Sequence, residues 1–246
     1  MVVLNFHRVE SPTGLELTRV SPARFARILD LVGSLEEQPS GLGQTPIGLR
    51  GRTVFTFDDG FASVAESAVP LLRERGWNAI VFLITGAMGG SDDWDVRVLG
   101  RRRPMMSWAQ VKSAAEQGFE FGSHTCRHRD LTVLSARALA AEVEDSKRRI
   151  EDTLGREVRH FSYPFGRFNE RVVEAVRRAG YQAAFALGLA HPSVAGEYAI
   201  PRVNVHALTT LYQLRRVLAG GNIPWTTRFF SSLSAGSATV GNWGGN

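Results

Sequence analysis

The 246-residue sequence contains one cysteine, Cys126, which excludes a disulfide within the chain and any zinc module built on several cysteines. Lysine is almost as scarce: only Lys112 and Lys147 occur, and arginine supplies the other 27 of 29 cations. No stretch approaches the roughly 18 to 20 uninterrupted apolar residues of a membrane-spanning helix. The first residues also lack the cationic segment, apolar run and cleavage site of a secretory signal. These absences give the expectation of a cytoplasmic chain without a transmembrane segment.

A formal charge of +5 raises the question of nucleic acid, but the cations are scattered and arginine forms a run of three only at Arg101, Arg102 and Arg103. No nucleic-acid partner is expected, and nothing in the pattern indicates an oligomeric state. With 43% hydrophobic and 22% charged residues, disorder is excluded as the main state and a sizeable core is available.

Short apolar runs alternate with amphipathic stretches, the pattern of repeated strand-helix units. Strands are expected at 2–6, 53–57, 79–84, 119–122, 160–163, 182–186 and 200–205. Ser21-Pro22 supplies a helix cap and a first-turn proline, after which Phe25, Ile28, Leu29 and Val32 recur at helical spacing. Further helices are expected at 62–75, at 107–117 behind a Ser107/Gln110 capping box, at 135–154 with Gly155 as the stop, at 170–179 and at 209–218. Residues 36–51 read as a loop, and 85–104 as a long excursion of the kind that carries function. The result is one α/β domain over 1–219, followed by a Ser-, Gly- and Asn-rich tail, 220–246, expected to be poorly ordered.

Reactive side chains fall at the ends of these strands. His7 follows the first, Asp58 and Asp59 the second, His124 and His128 the fourth and Tyr163-Pro164 the fifth, while Arg202 lies in the last. In a barrel of parallel strands such ends share one rim. Asp58-Asp59-Gly60 reads equally as a tight turn or as two carboxylates aimed to different sides, one free as a base and one binding a metal. His124 and His128, four apart, meet if the segment is helical or turn-like. With an aspartate they make a set of one oxygen and two nitrogens that leaves positions open for water and substrate. Cys126, between them, reads as a small packed residue turned away from that site.

Three strings in order, Thr56-Phe57-Asp58-Asp59-Gly60, then His124 to His128 with Leu131-Thr132, then Phe161-Ser162-Tyr163-Pro164-Phe165-Gly166, resemble the polysaccharide deacetylase family. This family is also called the NodB-homology domain or carbohydrate esterase family 4. The resemblance implies a distorted (β/α)7-type barrel and a metal-dependent hydrolase that removes N-acetyl, sometimes O-acetyl, groups from sugars. It implies Asp58 as catalytic base, Asp59, His124 and His128 as ligands of a divalent metal, Zn2+ by preference, and an acetylated carbohydrate as partner. It further implies a substrate-facing loop of Tyr163, Pro164, Phe165 and Gly166, with a backbone N–H near Phe165 for the oxyanion.

Two departures stand out. The family's third motif opens with an arginine that pairs with the catalytic aspartate, and this chain has Ser162 there; nor does the usual leucine-x-histidine follow the last strand. Instead Val3-Leu4-Asn5-Phe6-His7 opens the chain, similar to the permuted subgroup that acts on poly-N-acetylglucosamine, which makes His7 the candidate acid. Arg202 is the candidate for the missing cation beside Asp58, with a structural salt bridge as the alternative. Trp94 and Asp95 in the long excursion are candidates to stack on or hydrogen-bond a sugar, Trp77 and Trp108 read as core, His206 as a loop histidine, and His160 and His191 have no partner that the sequence names. Competing readings are deacylation of a lipid- or nucleotide-linked sugar or an O-acetyl ester, and a carbohydrate-binding pseudoenzyme without turnover.

Overall fold

Seven parallel strands pair in a closed ring in the computed structural model, which describes residues 1–11, 18–35, 41–42, 49–50, 53–92, 102–187 and 196–221. They are β1 (Val2–Phe6), β2 (Thr53–Phe57), β3 (Ile80–Leu83), β4 (Glu120–Ser123), β5 (His160–Ser162), β6 (Ala183–Leu187) and β7 (Ile200–Asn204). Each pairs with the next, and β1 closes the ring, with Leu4 opposite both Phe55 of β2 and Val203 of β7. The expected (β/α)7-type barrel is the observed one, with strand ends shifted by at most one residue.

Side chains alternate across each strand, so each strand faces two environments. One parity points outward: Leu4, Phe6, Phe55, Phe57, Val81 and Leu83 join the large core beneath the helices. There α1 (Pro22–Leu35) buries the expected Phe25, Ile28, Leu29 and Val32. Phe6 meets Phe25 edge to face at 5.1 Å, and Trp77 stacks on Phe55 at 5.9 Å. Each such fully buried side chain contributes roughly 1.5–3 kcal/mol.

The other parity points inward. Val3, Val54, Ile80, Phe82, Ala183, Phe185 and Ile200 form a separate apolar cluster that fills the barrel. Gly122 on β4 makes room for it, because a Cβ there would lie 2.6 Å from the Phe82 ring. At the start of β4 and β5, Glu120 and His160 meet with Oε1 and Nδ1 2.5 Å apart, which supplies the partner that the sequence left unnamed for His160. Following the inward parity to the opposite ends of the strands leads through Asn5, Thr56, Ser162 and Arg202 to His7, Asp58 and His124.

The helices differ from expectation where a wide turn intervenes. The expected helix 62–75 is a π-helical turn, Val64–Ala68, followed by α2 (Val69–Arg73), because Pro70 has no N–H to continue a regular ladder. Next comes α3 (Trp108–Glu116), with its Ser107/Gln110 capping box formed as expected. The expected helix 135–154 is divided into α4 (Ala136–Ala140), a π-helical turn (Ala141–Asp145) and α5 (Ser146–Leu154), which ends at left-handed Gly155. The remaining helices are α6 (Glu170–Arg178), capped by Asn169, and α7 (Leu211–Leu218), capped by Thr210.

Part of the expected loop 36–51 is not loop: Gly41–Leu42 pairs antiparallel with Leu49–Arg50. A parallel pair of Arg8–Val9 with Arg19–Val20, unexpected from the sequence, extends the path of β1. Trp94, Asp95, Arg101, His191 and the tail from 222 onward lie outside the described residues. Among the described residues no helix is long and apolar enough to cross a membrane.

Candidate active site

Asp58 follows β2 and is 1% exposed. Its carboxylate accepts two hydrogen bonds from the Arg202 fork, Nη1 to Oδ1 at 2.8 Å and Nη2 to Oδ2 at 2.7 Å, and a third from Asn5 Nδ2 at 3.1 Å. Arg202 is itself 1% exposed, and its guanidinium lies over the Phe82 and Phe185 rings, 5.4 and 5.8 Å from their centroids. It also donates to Asn5 Oδ1 at 2.8 Å and to Ser162 Oγ at 2.7 Å. Thr56 Oγ1 donates to Asn5 Oδ1 at 2.9 Å, which makes the middle layer of the barrel one polar network above an apolar floor. A buried ion pair is sustained only with such geometry and further hydrogen bonds.

Burial alone would raise the Asp58 carboxyl. The charge of Arg202, then His124, the Arg202 hydrogen bonds and His7 outweigh it and hold the carboxyl well below the usual range. Asp58 is therefore a permanent anion at neutral pH.

Asp59, His124 and His128 form the adjoining cluster. Asp59 Oδ1 lies 3.6 Å from His124 Nε2 and 3.8 Å from His128 Nε2, and the three ligand atoms lie within 4.8 Å of one another. Four-coordinate zinc with ligands at about 2.0–2.1 Å sets neighbouring ligand atoms roughly 3.3 Å apart, so the residues fit such an ion. The His124 ring is oriented by its Nδ1–H, which donates to the Ser162 carbonyl at 2.8 Å and leaves Nε2 as the lone-pair nitrogen facing Asp59. Burial lowers the His124 pKa, with Asp58 opposing; burial and then His124 lower that of His128 well below its ordinary value. Both rings are thus neutral, the form that binds a metal.

The histidines meet through a turn rather than a helix. Among the described non-glycine residues, four have left-handed backbones, Asp59 (φ 72°), Thr125 (φ 71°), His128 (φ 55°) and Phe165 (φ 58°), and all lie at this site. Such conformations cost about 1–3 kcal/mol each and collect at functional sites. Cys126 is turned away as expected: its thiol lies 3.7 Å from the Ala141 carbonyl.

His7 is partly buried, and its Nδ1 is enclosed without a hydrogen bond. Burial pushes its pKa down to about 4, with Asp58 pulling it up and Arg202 and His124 lowering it. The loop after β5 carries the four residues Tyr163, Pro164, Phe165 and Gly166. Tyr163 is fully buried, its hydroxyl donates to the Tyr198 carbonyl at 3.0 Å, and Pro164 is buried too. Phe165 packs its ring 4.5 Å from that of His128. His206 is a buried loop residue after β7 whose N–H donates to Thr209 Oγ1 at 3.1 Å.

Sequence reasoning missed Asn5, Thr56 and Glu142. The first two stand two residues before His7 and Asp58, hence on the same strand face, and that spacing was a readable signal. Glu142 accepts the backbone N–H groups of Cys126 and Arg127, both at 2.9 Å. No sequence signal marked it.

The family model for polysaccharide deacetylase matches residues 49–184, more than half of the chain. The chain belongs to the polysaccharide deacetylase family. Among its relatives is the YxkH protein of Bacillus subtilis, 30% identical over 156 residues, which are 62% of this chain and 50% of that protein. Another is the poly-β-1,6-N-acetyl-D-glucosamine N-deacetylase of Staphylococcus epidermidis, 26% identical over 162 residues, 61% of this chain and 53% of that protein. The chain thus spans about half the length of the curated relatives it matches. Of the solved deacetylase structures, IcaB from Ammonifex degensii superposes with a TM-score of 0.72 at 26% identity, over 89% of this chain and 95% of IcaB. The Streptococcus pyogenes deacetylase PplD superposes with a TM-score of 0.74 at 20% identity, over 89% of this chain and 97% of PplD, a likeness of fold.

Proposed function

We propose that this polysaccharide deacetylase family member hydrolyses N-acetyl groups of an N-acetylhexosamine-containing carbohydrate, with a divalent metal held by Asp59, His124 and His128. The observation that carries the proposal is the buried Asp58 carboxylate, forked by Arg202, beside a cluster of one carboxylate and two neutral imidazoles. A divalent cation, zinc in this reading, supplies a Lewis acid for the acetyl carbonyl and acidifies water.

The chain's own residues do the rest. Asp58, always ionised and fixed by three hydrogen bonds, is the acceptor for the proton of the attacking water. Arg202 keeps it from turning away. His7, neutral at rest, carries that proton on to the leaving amine, so that acetate and a free amino sugar are the products. The Phe165 backbone N–H is the donor assigned to the developing oxyanion, and the left-handed geometry of that residue orients it. Arg202 stands for the arginine missing at Ser162, since it makes the contact with Asp58 from another strand.

The name of the Staphylococcus epidermidis relative and the likeness to IcaB support a β-1,6-linked N-acetylglucosamine oligomer as the first substrate to assay. The test is acetate release from that oligomer by zinc-loaded protein, beside lipid-linked, nucleotide-linked and O-acetylated sugars. Release by the wild type and its loss in Asp58→Asn are expected. Metal bound with no acetate from any acetylated sugar would overturn the enzyme reading in favour of a binding protein.

A further inference from the structure

We infer that Glu142 is a positioning residue that sets metal affinity by holding the His124–His128 turn, an inference that rests on the metal reading above. This turn is strained at Thr125 and His128, so it needs restraint from outside. One side is held by the segment after β3, where the N–H groups of Thr85 and Gly86 donate to the carbonyls of Thr125 and Cys126 at 3.1 and 2.9 Å. The approach is so close that a Cβ on Gly86 would stand 2.5 Å from the Cys126 oxygen.

On the other side, among the described residues, Glu142 is the side chain that takes backbone N–H groups of the turn. Its Oε2 accepts both the Cys126 and the Arg127 N–H groups at 2.9 Å, and Glu142 is 4% exposed. Among the described residues no cation pairs with it, and these two are its hydrogen bonds. A buried carboxylate without a cation is costly unless donors converge on it, and a charged acceptor makes hydrogen bonds about twice as strong as a neutral one. The π-helical turn Ala141–Asp145 carries Glu142 to this spot, a local departure of the kind that marks functional helices.

The two ligands depend on this clamp unequally. His124 has its own anchor in the Ser162 carbonyl. The His128 N–H donates within the turn, to Thr125 Oγ1 at 2.9 Å, and His128 directly follows Arg127, whose N–H Glu142 holds, so the clamp ties the turn that carries His128 Nε2 toward Asp59 to the helix behind it.

The experiment measures zinc affinity by competition with a chromophoric chelator, for the wild type and for Glu142→Ala, Glu142→Asp and Glu142→Gln. Supporting residues of metal ligands are typically worth about 10–100-fold in affinity, so losses of that order are expected for Glu142→Ala. About tenfold is expected for Glu142→Asp, which keeps the charge but shortens the reach. Glu142→Gln, whose neutral amide oxygen accepts both N–H groups more weakly, is expected to fall between the wild type and Glu142→Ala, and acetate release by Glu142→Asp recovers as zinc is raised. If Glu142→Ala does not fold, Glu142→Asp carries the test. Wild-type zinc affinity in Glu142→Ala or Glu142→Asp would overturn the inference, whereas failure of the wild type itself to bind zinc overturns the metal reading instead.

Discussion

Arg202 reaches across the barrel from β7 to Ser162 on β5, with Nη2 2.7 Å from the serine Oγ, and the same nitrogen rests on Asp58. Ser162 is thus a small acceptor on β5, and the cation that meets it comes from two strands away. The hydroxyl is part of the arrangement, since it uses a donor that would otherwise be buried unpaired.

Removing Arg202 leaves a buried, unpaired carboxylate, and breaking such a pair costs about 3–5 kcal/mol. Arg202→Leu is therefore expected to lose that much in urea denaturation. Combining it with Asp58→Asn, which removes the stranded charge, should recover part of the loss. Equal stability of the single and double variants would count against the pairing.

His7→Ala is expected to lower kcat for N-acetyl substrates by about 10²–10⁴-fold, the usual contribution of a positioned acid. An activated aryl acetate, whose leaving group departs without a proton, should be affected far less. Equal losses on both substrates would remove His7 from the proton path.

Zinc at about one hundred times its dissociation constant should stabilise the fold by about 2.7 kcal/mol, seen as a rise in Tm that a chelator reverses. His128→Ala should abolish the rise. A shift that survives this substitution would place the metal elsewhere.

Glu120 gives a pH-dependent contribution to stability. Burial raises its pKa, but the hydrogen bond and charge of His160, then Arg159, outweigh it and hold the carboxyl below its ordinary value of 4.5. A carboxyl lowered in the folded state stabilises fully above its unfolded value and loses that contribution as pH falls through the folded one. Glu120→Gln should thus cost about 1–3 kcal/mol near neutral pH, with the gap to the wild type narrowing below about pH 4. Urea melts at the two pH values measure it, and a constant gap would refute the assignment.

Much of this was legible from residue order. The seven strands, the face of α1 and the convergence of His7, Asp58, His124 and Arg202 follow from period-two and helical spacing. What stayed hidden depended on contacts that no local pattern encodes. The wide turn Ala141–Asp145 keeps the apolar spacing of a continuous helix, since Leu139, Val143 and Ile150 are buried on either account. Tyr163 sits in a motif that suggests ligand contact, yet strand parity turns its ring outward, into the core. Four of the left-handed residues at the site are Asp, Thr, His and Phe rather than glycine, so composition gave no warning of them.

The pairing of β1 with both β2 and β7 separates order along the chain from order in space. A ring of strands has no first member. A strand that delivers a histidine can occupy the slot between β7 and β2 whether it is made first or last, and the neighbours it meets are the same. Which end of the chain supplies that histidine is immaterial to the ring, while the distances among the groups at the rim are not.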